Sequence, residues 1–126
     1  MNRHQRRKDK KQQSKNLSFQ NLLLYAIDLH SKKQFREAEK IYTELNVSYP
    51  NNYDVLRHLG ILFQDQGKYE KAYNFFITAI DTKPDGFEAI SNLGTVHLAN
   101  KNSDLAMKCF EKSLSINPNY IPAINN

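Results

Sequence analysis

One interval, 34 residues, governs where this chain places its structurally demanding residues. Three of its four prolines, Pro50, Pro84 and Pro118, stand 34 apart. Ala38, Ala72 and Ala106 keep the same spacing, as do the aromatics Tyr42, Phe76 and Phe110 and a second set, Phe19, Tyr53 and Phe87. Leu22, Leu56 and Ile90 follow, and the pair Tyr25-Ala26 falls in register with Leu59-Gly60 and Leu93-Gly94. Six sets in a single register are not coincidence. A repeat of this length is one supersecondary unit that cannot bury its apolar face alone, so copies must stack on one another.

Inside the unit, the apolar spacing is helical. Tyr53, Leu56, Leu59, Gly60 and Phe63 step by three or four along one face, as a period of about 3.6 requires. Gly67 then marks a turn, and Tyr69, Ala72, Phe75, Phe76, Ala79 and Ile80 form the apolar face of a second helix that ends before Pro84. Small residues at Gly60, Gly94 and Ala72 fit places where two helix axes approach closely. Asn52 and Asp85 stand where a helix N-cap is expected.

This pattern resembles the tetratricopeptide repeat, a helix–turn–helix unit of 34 residues. The second unit matches through Leu56, Leu59-Gly60, Phe63, Gly67, Tyr69, Ala72, Phe76, Ala79 and Pro84. In the third, His97 replaces Phe63 and Ser103 replaces Tyr69; in the first, Lys33 stands in place of the turn glycine, and Leu45-Asn46 replaces a small-plus-apolar pair. The resemblance implies an all-α, right-handed α-solenoid of three repeats, 17–50, 51–84 and 85–118. Residues 119–126 read as the start of a fourth, with Ile121 in the phase of Phe87 and Ile124 in that of Ile90. A stub of that length cannot cover the last apolar face, so the expectation is either a piece of a longer protein or an end that self-associates.

Composition narrows function. Four glycines cannot assemble a phosphate-cradling loop, and neither G-x-G-x-x-G nor G-x-x-x-x-G-K-[ST] occurs. The longest apolar run, residues 22–27, is too short for a membrane span. A lone Cys109 excludes an internal disulfide and suits a reducing, cytoplasmic compartment. The net charge of +5 is unevenly placed. Residues 1–16 carry Arg3, Arg6, Arg7, Lys8, Lys10, Lys11 and Lys15 against Asp9 alone, whereas the other 110 residues hold 11 basic and 12 acidic side chains. This basic tail lacks apolar periodicity and is expected to be disordered. It could contact nucleic acid, although no interleaved aromatic is present to stack on bases. Its opening, MNRHQRR, is similar to leaders of bacterial tetratricopeptide proteins that carry a transferase domain downstream.

No catalytic or metal constellation emerges. His4, His30, His58 and His97 form no H-E-x-x-H, and a metal site needs three or four converging ligands. Cys109 shares its phase with Ile41 and Phe75, which marks a buried, unreactive thiol. No cofactor is expected, and no nucleophile, base and oxyanion donors combine into an enzyme site.

The resemblance implies that the first helix of each repeat lines a concave groove that takes a peptide or partner protein, making the chain an interaction scaffold. By phase, that surface includes Gln20, Leu23, Ile27 and His30 in the first repeat; Asp54, Arg57, Ile61, Gln64 and Asp65 in the second; and Glu88, Ser91, Asn92, Thr95 and Leu98 in the third. Leu23, Ile27 and Glu88 stand where the family's carboxylate-gripping members need polar or basic groups. Asn92 and Asn126 resemble the asparagine ladder of the O-GlcNAc transferase repeat domain. The alternative function is therefore a substrate-recruiting module of a glycosyltransferase or sulfotransferase.

Overall fold

The computed structural model describes residues 2–120, and their side chains outside 8–17. Among the described residues, it contains six helices and no strand: α1 (Arg3–Ser31), α2 (Phe35–Ser48), α3 (Tyr53–Asp65), α4 (Tyr69–Thr82), α5 (Phe87–Ala99) and α6 (Ser103–Ile116). The all-α class and the helix pairs follow the sequence period. The chain forms two compact units, residues 1–48 with α1 and α2, and residues 49–126 with α3 to α6.

Each helix pair closes on an aromatic ring. In the second unit, Phe76 on α4 is fully buried and lies against Gly60 on α3, where a Cβ would collide with its ring. The relation recurs one repeat later, where a Cβ on Gly94 would lie 2.6 Å from Phe110 Cε1. In the first unit the residues in the same register, Ala26 on α1 and Tyr42 on α2, are both fully buried. Small residues at these positions let the ring fill the space between the axes at crystal-like density. Phe63 and Phe75 add a stacked contact at 5.6 Å.

The turns inside the pairs are also alike. Lys33, Gly67 and Lys101 all adopt positive φ, at 62°, 74° and 61°. The next amide donates back to the carbonyl five residues earlier: Gln34 to Leu29, Lys68 to Phe63 and Asn102 to His97, at 2.8–2.9 Å. This is the Schellman closure, which requires a left-handed residue just past the helix. Lysine at positions 33 and 101 adopts the geometry at a cost of about 1 kcal/mol each, so the missing glycines do not abolish the turn. At the following helix starts, Asn52 accepts from the Val55 amide at 3.1 Å, and Asn102 accepts from the Leu105 amide at 3.3 Å. The cap expected of Asp85 is not made. Gly86 occupies the N-cap of α5 and has no side chain to bond; the chain there passes close to Tyr53, whose Cε2 would lie 2.5 Å from a Cβ on Gly86.

In the basic tail, expected to be disordered through residue 16, the backbone is helical from Arg3, and Asn2 caps it by accepting from the Gln5 amide at 2.8 Å. Residues 3–16 contain no Gly or Pro and are rich in Arg, Lys and Gln, which lose little side-chain freedom in a helix. They extend a helix nucleated farther along, where Ala26 and Leu29 are buried. At the other end, Ile121, Ile124 and Asn126, expected to open a fourth repeat, lie outside the described residues.

Candidate functional site

The residues expected to form the binding surface all lie on α1, α3 or α5, the first helix of each pair. In the first unit, Leu23 and Ile27 are half-buried. His30 is turned into the helix pair, its ring edge-on to Phe35 at 5.8 Å and to Tyr42 at 6.3 Å, with Nδ1 3.5 Å from the Tyr42 hydroxyl. It packs between α1 and α2.

The second unit brings its candidates together across two helices. Asp54, Arg57, Ile61, Gln64 and Asp65 occupy successive turns of α3, while Glu88, Asn92, Thr95 and Leu98 do so on α5. Arg57 Nη1 donates to Asn92 Oδ1 at 3.4 Å. The carbonyl oxygen of Asn92 is thereby occupied, and its amide Nδ2 retains its donor capacity. Arg57 Nε is buried and without a hydrogen-bond partner among the described residues. An unsatisfied buried donor costs on the order of 1–3 kcal/mol, a cost that an acceptor arriving at this face would remove.

Tyr53, assigned only to the core by its phase, organises the same face. Its hydroxyl donates to Glu88 Oε1 at 3.3 Å and accepts from the Ala89 amide at 3.1 Å. The Lys83 ammonium lies 5.1 Å from its ring centroid. Burial pushes the Tyr53 phenol up to about 12 from 10.0, against the Ala89 hydrogen bond, which favours ionisation; the neighbouring Glu88 charge raises it further. Tyr120 packs edge-on to Phe87 at 4.9 Å; burial raises its phenol too, with Arg57 opposing and Glu88 reinforcing the shift. A periodic aromatic signals packing equally well whether or not its hydroxyl is used, so phase alone could not reveal the role of Tyr53.

Neutral Tyr53 is favoured by the fold. Its contribution to stability is complete below pH 10 and is lost as pH rises from 10 toward 12. Tyr53→Phe is expected to flatten that alkaline decline relative to the parent, and to cost about 1 kcal/mol at neutral pH by leaving the Ala89 amide without its acceptor. Urea unfolding at a series of pH values checks both. Parallel alkaline curves for parent and variant would disprove the assignment.

Other expectations shift with the geometry. Ser91, placed on the surface by phase, is buried. Its carbonyl accepts from Thr95 Oγ1 at 3.3 Å, so the Thr95 hydroxyl turns back onto its own helix. Leu98 is exposed, as are Asp54 and Asp65. His97 meets Tyr73 edge-on at 6.1 Å. Cys109 is half-buried rather than fully buried, and burial raises its thiol above the usual value, which lowers its reactivity. Among the described residues, no group of three potential metal ligands converges, and no helix is long and apolar enough to cross a membrane.

Residues 56–82 and 87–120 each match a model of the tetratricopeptide repeat. The chain is similar to the uncharacterized protein YgeG of Escherichia coli (strain K12), at 31% identity over 87 residues, covering 68% of this chain and 53% of that protein. It is also similar to the type IV pilus assembly protein PilF of Pseudomonas aeruginosa, at 32% identity over 96 residues, covering 75% of this chain and 38% of PilF. It therefore spans about half or less of the length of these relatives. In three dimensions, it resembles the first repeat domain of Spaghetti (RPAP3), solved with the HSP90 peptide SRMEEVD, at a TM-score of 0.78 and 20% identity over 85% of each chain.

Proposed function

Since the chain is a tetratricopeptide repeat protein, and so an interaction module by fold, we propose that it is a non-catalytic scaffold that holds an extended segment of a partner protein on the α3/α5 face. The observation that carries this reading is Arg57: a guanidinium tied at one end to Asn92, with a buried Nε that has no acceptor among the described residues. Guanidinium and amide groups are donors that suit peptide carbonyls. Together, Arg57 and Nδ2 of Asn92 can pair with the backbone of an extended ligand while Ile61, half-buried one turn along, supplies apolar contact. The first repeat domain of Spaghetti, solved with a peptide, gives the fold a precedent for such a ligand. Exposed Asp54 and Asp65 flank the apolar position, so the favoured segment has apolar side chains with basic residues beside them.

The test is selection of an extended-peptide library on the parent chain, followed by affinity measurement with Arg57→Met, which keeps the apolar stem and removes the donors. The selected peptides are expected to bind the variant at least about 10-fold more weakly, with unchanged far-ultraviolet circular dichroism. Equal affinity would place the binding surface elsewhere.

A further inference from the structure

The first half of α1 carries a feature that peptide binding at α3/α5 does not use. Residues 3–16 contain seven cations, one acid and no apolar residue, and the helix that bears them runs unbroken to Ser31. At about 100° per residue, Arg3, Arg6 and Arg7 fall within an arc of roughly 100°. Arg3, Arg6 and Arg7 are exposed. The arrangement opposes the helix in two ways. Cations crowd a helix N-terminus that has no acid in its first turn, and like charges stand three or four apart, as in Arg3–Arg6 and Arg3–Arg7, each such pair costing a few tenths of a kcal/mol. A polyanion lying along the arc would reverse both penalties.

We propose that this basic helical face docks on the phosphate backbone of double-stranded nucleic acid. The span from residue 3 to residue 15 is about 18 Å of helix, and a duplex presents a charge every ~1.7 Å along its axis, so roughly ten phosphates lie along that length. No residue of 3–16 is aromatic, which disfavours a single strand read by stacking. With no apolar face, the segment has nothing to insert into a bilayer. Contacts of this kind position the protein on a duplex without reading its sequence. Because α1 is one helix, the docked duplex would lie at a fixed distance from the buried Ala26 and Leu29, rather than on a floppy tether.

The experiment is fluorescence anisotropy of the whole chain with a labelled duplex of about 20 base pairs, across roughly 50–200 mM salt. The expected result is a log–log slope of about −4 to −6. In the triple variant Arg3→Gln, Arg6→Gln, Arg7→Gln, the slope is expected to shrink by about 3 and binding at the lowest salt to weaken on the order of 100-fold. Glutamine keeps the helix propensity, and circular dichroism checks that helicity is retained. Absence of binding at the lowest salt, a slope near zero, or a triple variant that binds like the parent overturns the proposal. So does capture of the chain by phosphatidylserine vesicles without capture by the duplex.

Discussion

Phe76→Ala is expected to lower the unfolding free energy by about 3–5 kcal/mol, the range for deleting a fully buried aromatic ring. Phe76 has no exposed surface, and its ring fills the slot that Gly60 leaves open on α3. The backbone of two helices defines that slot, so little can move in to fill the void. A domain of this size holds only about 5–15 kcal/mol in total, so a large fraction of the folded population is at stake. Urea unfolding followed by circular dichroism measures the loss. Adding Gly60→Ala tests the cause. Alone, that change gains about 1 kcal/mol of helix propensity but overpacks against the ring for about 1–3 kcal/mol, and the collision should win. In the Phe76→Ala background the added methyl meets a void, so the double variant should be more stable than the sum of the single effects requires. Strict additivity would mean that the two residues do not share a contact surface.

Ile61→Asp is expected to weaken partner binding about 100-fold or more, the scale of a central contact residue. The substitution removes the apolar contact next to Arg57 and places a carboxylate between Asp54 and Asp65. Ile61 is half-buried, so part of any change in binding could come from the fold; Ile61→Ala, which removes the side chain without adding charge, separates the two. Loss of binding in both variants with helicity retained supports an apolar anchor. Removal of residues 1–16 is expected to leave peptide capture nearly unchanged, because those residues serve a different ligand. If the truncated chain loses its peptide and Ile61→Asp keeps it, the α3/α5 face is not the site.

The sequence by itself determined the helix pairs, their turns and their core positions. The reason is that each of these is a short-range constraint repeated three times. A ring at position 42, 76 or 110 needs a small residue at 26, 60 or 94, and the common interval of 34 exposes the requirement even where the residue type drifts from glycine to alanine. The turn at Lys33 shows the limit of reading type for geometry. Schellman closure dictates a positive φ there, and the chain accepts lysine at modest cost, which no propensity scale announces. Residues 3–16 have no apolar periodicity, yet their backbone is helical. Helix propensity and continuity with α1 suffice to carry the helix outward, without a face to bury.

What only tertiary structure decided is which polar groups meet. Tyr53 and Glu88, and Arg57 and Asn92, stand 35 residues apart in each case, one more than the period. Their encounter depends on the offset between α3 and α5 when two repeats stack. Phase places both helices on the same side of the unit but leaves that offset, and with it the hydrogen-bond partners, undetermined. The same offset buries Ser91 and leaves Arg57 Nε without an acceptor among the described residues. Hydrophobic periodicity specifies surfaces that need only be apolar and of fitting size, whereas a hydrogen bond needs two atoms within about 3 Å and aligned. That precision arises only when the helices are packed.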